Sequence, residues 1–235
     1  MNYSAIKLQL QSKAEDSYRL FTLKLIPELG DCIGIRVPVI RAFAKELQTM
    51  TLGDDVIPNL WNSTVYEEKL LLAMLIGQTK YSSFDQAYAD VTRFVRKINN
   101  WAVCDLFVSA IKPIVRKYNN AFYLAVIHNA RSDKDWQIRF GLVMLLTHYN
   151  DTIYIDDILE ISNDVTSTAY YVRMANAWLL SYVYLIDKNR TIEFLQNSKL
   201  DMWTINKAIQ KIRESNRVMI DEKDELRKFS KSINC

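Results

Sequence analysis

Trp101 and Asp105 lie one helical turn apart and are the first residues in this chain whose types and spacing suit a chemistry. Side chains four positions apart share one face of a helix. An indole face and a carboxylate both attract positive charge, so the pair suits a cation that develops during a reaction. A second indole, Trp178, follows Tyr171 by seven residues and shares its helical face. Arg139, Arg173 and Lys207 occupy early positions in successive helical segments equivalent to that of Asp105, and Lys112, Lys211 and Arg213 follow. A row of cations containing a single carboxylate has the composition of a groove that tracks phosphates. Taken singly, each of these charges reads equally well as a solvated helix face with local ion pairs.

Other candidates carry less. His128 and His148 lie far apart with no Ser or Cys partner in sequence reach, no glycine loop is present to cradle a phosphate, and Glu67-Glu68 reads as a solvated helix start. Trp136 and Trp203, aromatics at repeat positions, read as core. Cys32, Cys104 and Cys235 lack metal-ligand spacing and a disulfide framework, so neither a metal nor an organic cofactor is expected.

The elements that must hold these residues repeat along the chain. Trp101, Trp136, Tyr171 and Trp203 are spaced 35, 35 and 32 residues apart. Each opens a segment whose apolar positions recur at three and four, such as Val103, Phe107, Ala110, Ile111 and Ile114, or Ile138, Leu142, Leu145 and Leu146. Polar residues stand before each as helix caps: Asn99 and Asn100, Ser132 and Asp133, Ser167 and Thr168, and Asp201. Second helices are predicted over Ala121 to Ala130, Ile155 to Ile161 and Thr191 to Gln196. In the N-terminal half, helices are predicted over Pro38 to Leu47, Val65 to Gly77 and Ser83 to Ile98. Antiparallel helix pairs repeated in this way indicate an all-α, right-handed α-solenoid. About six HEAT-like pairs are predicted, forming one domain over residues 1–235 with a concave binding face.

Composition agrees with helices throughout. The chain has 49% hydrophobic residues but only 5 Gly and 4 Pro, too little turn punctuation for a sheet protein. A net charge of +3 is mildly basic and neither demands nor excludes a polyanion. Met1 to Ser12 lacks the features of a signal peptide and the apolar runs are broken by charges, so a soluble, cytoplasmic protein is expected.

The segments Gly34-Ile35-Arg36-Val37-Pro38, Asn100 through Asp105, Trp136-Gln137-Ile138-Arg139, and Tyr171 through Ala175 with Trp178 resemble the AlkD-like DNA alkylation repair family over nearly the whole chain. The resemblance implies a HEAT-like fold and DNA N-glycosylase activity on 3-methyladenine and 7-methylguanine in duplex DNA. It implies that Trp101 and Trp178 line the catalytic cleft, that Asp105 is the catalytic carboxylate and that Arg139 contacts DNA. Such a base is already cationic and its glycosidic bond weakened, so stabilising the sugar oxocarbenium and placing a water suffice. In this family the lesion need not enter a closed pocket, unlike the usual extruded base.

Two positions depart from the family pattern. Ser181 stands where active members carry an arginine, three residues after the second tryptophan. Active members also have a short separate helix whose aromatic walls the lesion. Here Tyr3 to Ile26, without Gly or Pro, reads as one unbroken helix, with Leu25 near the aromatic's place. The expected function is that of a monomeric, monofunctional DNA glycosylase, a hydrolase of DNA repair, with Arg139, Arg173, Lys112, Lys207 and Lys211 on the DNA. A second reading is a family member that binds DNA or another partner without excision, and a third is a protein-interaction scaffold.

Overall fold

The computed structural model describes residues 1–27 and 29–232, and Cys235 lies outside them. Among the described residues all regular structure is helical, with no strand. The helix-pair architecture expected of an α-solenoid is the one the chain forms. It packs as two compact units, Met1–Asn119 and Asn120–Cys235.

The first unit contains α1 (Tyr3–Gln11), α2 (Asp16–Leu25), α3 (Val37–Gln48), α4 (Val56–Asn62), α5 (Tyr66–Gln78), α6 (Phe84–Val95), α7 (Trp101–Ala110) and α8 (Lys112–Lys117). Here α3 packs on α5 and α5 on α7, so alternate helices stack. The intervening α6 is amphipathic, burying Ala87, Val91, Phe94 and Val95. By contrast α5 is buried from Leu70 through Gly77 on every side, as a helix between two neighbours must be. Gly77 permits the closest approach: a Cβ there would collide with the carbonyl oxygen of Ala110 at the end of α7.

The second unit begins within α9 (Asn119–Ala130) and continues through α10 (Asp135–His148), a 3-10 turn (Thr152–Tyr154), α11 (Ile155–Asp164), α12 (Tyr170–Tyr184), α13 (Lys188–Asn197), α14 (Met202–Glu214) and α15 (Ile220–Ser232). The same alternation recurs, α10 on α12 and α12 on α14, with α11 and α13 packed against α12. A buried amide ties α11 to α12: Asn176 Nδ2 donates to the Ser162 carbonyl at 3.0 Å, and Ser162 Oγ donates to Asn176 Oδ1 at 2.6 Å. The helices predicted over Pro38 to Leu47, Val65 to Gly77, Ser83 to Ile98, Ala121 to Ala130, Ile155 to Ile161 and Thr191 to Gln196 are all present, within a few residues of their expected bounds.

Three local expectations are overturned. The stretch from Tyr3 to Ile26 is two helices, because residues 12–15 leave the helix to make tertiary bonds that local propensity does not reveal. The Glu15 amide donates to the Gly34 carbonyl at 2.9 Å, and its carboxylate accepts both forks of Arg36 at 3.0 Å. Second, Glu67 and Glu68 are not solvated: they are 0% and 1% exposed. Glu67 accepts the backbone amides of Ile33, Gly34 and Ile35 at 2.8, 2.7 and 3.2 Å, while Glu68 accepts the Tyr3 hydroxyl at 2.7 Å. Gly34, at φ +93°, lets that loop wrap the carboxylate. Third, α7 ends at Ala110 rather than running to Ile114, since Pro113 has no N–H to offer the Ser109 carbonyl.

Candidate nucleic-acid interface

In the first unit the local sequence fixes the start of α7 sharply. Asn100 is its cap, with the side-chain oxygen accepting the Val103 amide at 3.0 Å and the amide nitrogen donating to Asn99 Oδ1 at 3.1 Å. Val103, Cys104, Phe107 and Val108 bury one side of the helix. Trp101 and Asp105 stand half-buried, one turn apart as their spacing predicts. Beside the cap opens a cavity of about 440 Å³ bordered by Asp31, Tyr66, Lys69, Asn99 and Asn100. Burial lowers the Lys69 amine from the ordinary lysine range, and Lys97 adds to the effect. The sequence held no sign of Lys69, which lies in a helix that reads as core.

In the second unit the first turns of α10, α12 and α14 form an interleaved run of rings and cations. Trp136 lies against Tyr171 at 5.5 Å between centroids, and Tyr170 meets Trp203 edge-on at 5.6 Å. The Arg139 guanidinium sits 6.0 Å from the Tyr171 ring and donates to the Tyr171 carbonyl at 2.7 Å. Arg173 covers Trp203 at 4.5 Å and pairs with Asp201 at 3.3 Å. Lys207 lies 5.6 Å from the same indole, and Lys211 lies 5.9 Å from Trp178. Burial lowers the Lys211 amine; Glu214 opposes that shift, while Lys207 and Arg139 reinforce it. Lys211 therefore feels the charges of Lys207 and Arg139 on one helix stack.

Several expectations for this face need correction. Trp136 and Trp203 are not core residues; both are half-buried at helix starts. Arg139 is only 4% exposed, so it braces the face from below rather than standing free in solvent. Lys112 is not on the α7 face; it opens α8 and is exposed. Asp201 caps α14 as predicted, accepting the amides of Trp203 and Thr204 at 3.0 and 3.1 Å. The caps proposed for α10 and α12 fall short, because the residues at those cap positions are Lys134 and Ala169. Ser132 and Ser167 accept the Lys134 and Ala169 amides instead. Helix starts lacking a side-chain cap retain amides that suit an anion.

Ser181 and Lys211 border the same cavity as Trp178, a space of about 210 Å³. Ser181 is buried and donates to the Trp178 carbonyl at 2.7 Å. Lys211, from the neighbouring α14, thus places a cation beside Trp178 on a cavity that Ser181 also borders.

Paired helices whose starts interleave cations with rings define a helical-repeat protein. The family follows from the sequence as a whole: the chain belongs to the DNA alkylation repair enzymes, whose family model matches residues 6–212. Among curated proteins none matches the chain. Membership gives the protein a role in alkylation repair, with DNA as the substrate the family implies. No described helix is long and apolar enough to cross a membrane, and no described group of His, Cys, Asp or Glu is arranged to hold a metal ion.

Proposed function

We propose that this chain is a monofunctional DNA N-glycosylase that releases cationic 3-methyladenine and 7-methylguanine from duplex DNA, acting as a monomer. The observation that carries the reading is the Trp101 and Asp105 pair, half-buried on one face of a helix fixed by its Asn100 cap.

The chemistry asks little of a general acid. As the glycosidic bond breaks, its electron pair moves onto the alkylated purine, which leaves neutral, and positive charge develops on the sugar. The Asp105 carboxylate and the Trp101 face oppose that charge, and a carboxylate held at a helix start can orient the attacking water and take up its proton. Trp178 is assigned the second indole by family resemblance. Lys211 supplies the cation that Ser181 lacks. Arg173, Lys207 and Lys211 contact phosphates, while Arg139 holds Tyr171 and the ring ladder in register.

The alternative of a family member that binds DNA or another partner without excision rested on a continuous first helix and the absent cation. Both grounds weaken, because α2 is a separate helix carrying an exposed Phe21 and Lys211 lies beside Trp178. The test is chromatographic detection of free bases from methylated duplex DNA incubated with the purified protein. Release of both methylated purines is the expected result; release at the buffer rate with duplex binding intact selects the non-excising alternative.

A further inference from the structure

The first unit also contains a cleft of about 770 Å³, at the opposite end of α7 from Trp101. It lies where α5 and α7 finish and α8 begins. Nine residues of α7 separate Ser109 and Ala110 on its wall from Trp101, about 13 Å along the helix.

Among the described residues five cationic side chains border it, Arg41, Lys80, Lys112, Arg116 and Lys117, and no carboxylate does. Lys117 Nζ donates to the Tyr81 carbonyl at 2.7 Å, which fixes one rim. The other four make no ion pair among the described residues. A concave wall of one charge sign focuses its field and concentrates counter-ions. The floor is different in kind: Met74, Ala110, Pro113 and Ile114 are apolar, and Tyr118 offers a ring. Gly77 shapes this floor by letting α5 touch the end of α7. On the same lining Gln78 Oε1 is buried with no hydrogen-bond donor among the described residues, an acceptor suited to a hydroxyl or an amine.

We infer that this cleft binds a small phosphate monoester of nucleoside type. Its phosphate would meet the cationic rim, its ring the apolar floor and Tyr118, and a ring or sugar donor Gln78. A volume of this size suits such a ligand, and an apolar floor with a few directed polar groups is the usual make-up of a small-molecule site. Cations near helix ends also complement the helix dipole, but that role does not require a cleft free of carboxylates with an unanswered acceptor inside it. The inference stands apart from the excision chemistry, since none of these side chains belongs to the α7 start or to the ring ladder of the second unit.

The test is calorimetric titration of the whole protein with adenosine monophosphate, adenosine and inorganic phosphate, repeated on the Lys80→Ala/Arg116→Ala double variant. Both positions are exposed, so the variant keeps its fold. Saturable binding of the nucleotide, tighter than adenosine or phosphate alone and weakened about tenfold or more in the variant, supports the site. No saturation at millimolar nucleotide, or equal affinity in the variant, overturns it. Loss of duplex affinity in the variant without nucleotide binding assigns these cations to DNA and overturns it as well.

Discussion

Asp105 and Glu67 show how differently two carboxylates are used in one small unit. Asp105 is half-buried on a helix face beside an indole, whereas Glu67 is sealed inside and answered by three backbone amides. Sequence spacing identified the first because its partner is four residues away. It misread the second because the amides that hold Glu67 come from a loop more than thirty residues earlier. Removing the Glu67 side chain leaves buried donors unanswered, so Glu67→Ala should lower unfolding free energy by about 3 kcal/mol or more. Urea denaturation checks this, and a change near zero would mean that water replaces the carboxylate. The Cys32 thiol also contacts Glu67, and burial together with that carboxylate pushes its pKa up to about 12. Cys32 should therefore resist alkylation at pH 8 in the wild type and react faster once Glu67 is replaced, as a thiol-trapping time course would show.

Helix starts and close approaches govern the chemistry at the next scale. The α7 start was fully legible, since Asn100 is a strong cap and the apolar period behind it is unambiguous. The break between α1 and α2 was not, because neither Gly nor Pro marks it and the pairing of Glu15 with Gly34 and Arg36 is tertiary. Likewise the ring ladder at α10, α12 and α14 was half legible: the cations were found by their register, but Trp136 and Trp203 were assigned to the core. Asn100→Ala should cost about 1 kcal/mol of stability and lower the excision rate more than duplex affinity, since it loosens the turn bearing Trp101 and Asp105. Single-turnover kinetics and duplex titration on one preparation separate the two effects; an unchanged rate would place the functional residues elsewhere. Gly77→Ala, which drives a methyl group into the Ala110 carbonyl, should destabilise by about 1–3 kcal/mol. Thermal unfolding of the variant checks it.

Across the whole molecule the balance of +3 is too small to bind a polyanion by itself, so affinity must come from where the cations are placed. Lys207 and Lys211 with Arg173 lie along rings on one helix stack, and each phosphate contact steepens the salt dependence. Replacing Lys207 or Lys211 by Ala should reduce the log–log slope of duplex affinity against salt by about one, measured by fluorescence anisotropy across a salt series. The repeat, the helix-pair architecture and the family were legible from a single sequence because the periodic aromatics recur in order along the chain. The basic cleft at the far ends of α5 and α7 was not, because Arg41, Lys80 and Arg116 come from separate segments and share no spacing. The central claim, that Asp105 performs the excision, is tested most directly by comparing wild type with Asp105→Asn for both 3-methyladenine release and duplex affinity. The account predicts that release falls to background while affinity stays within about twofold. Undiminished release by Asp105→Asn, or an equal collapse of release and binding, would contradict it.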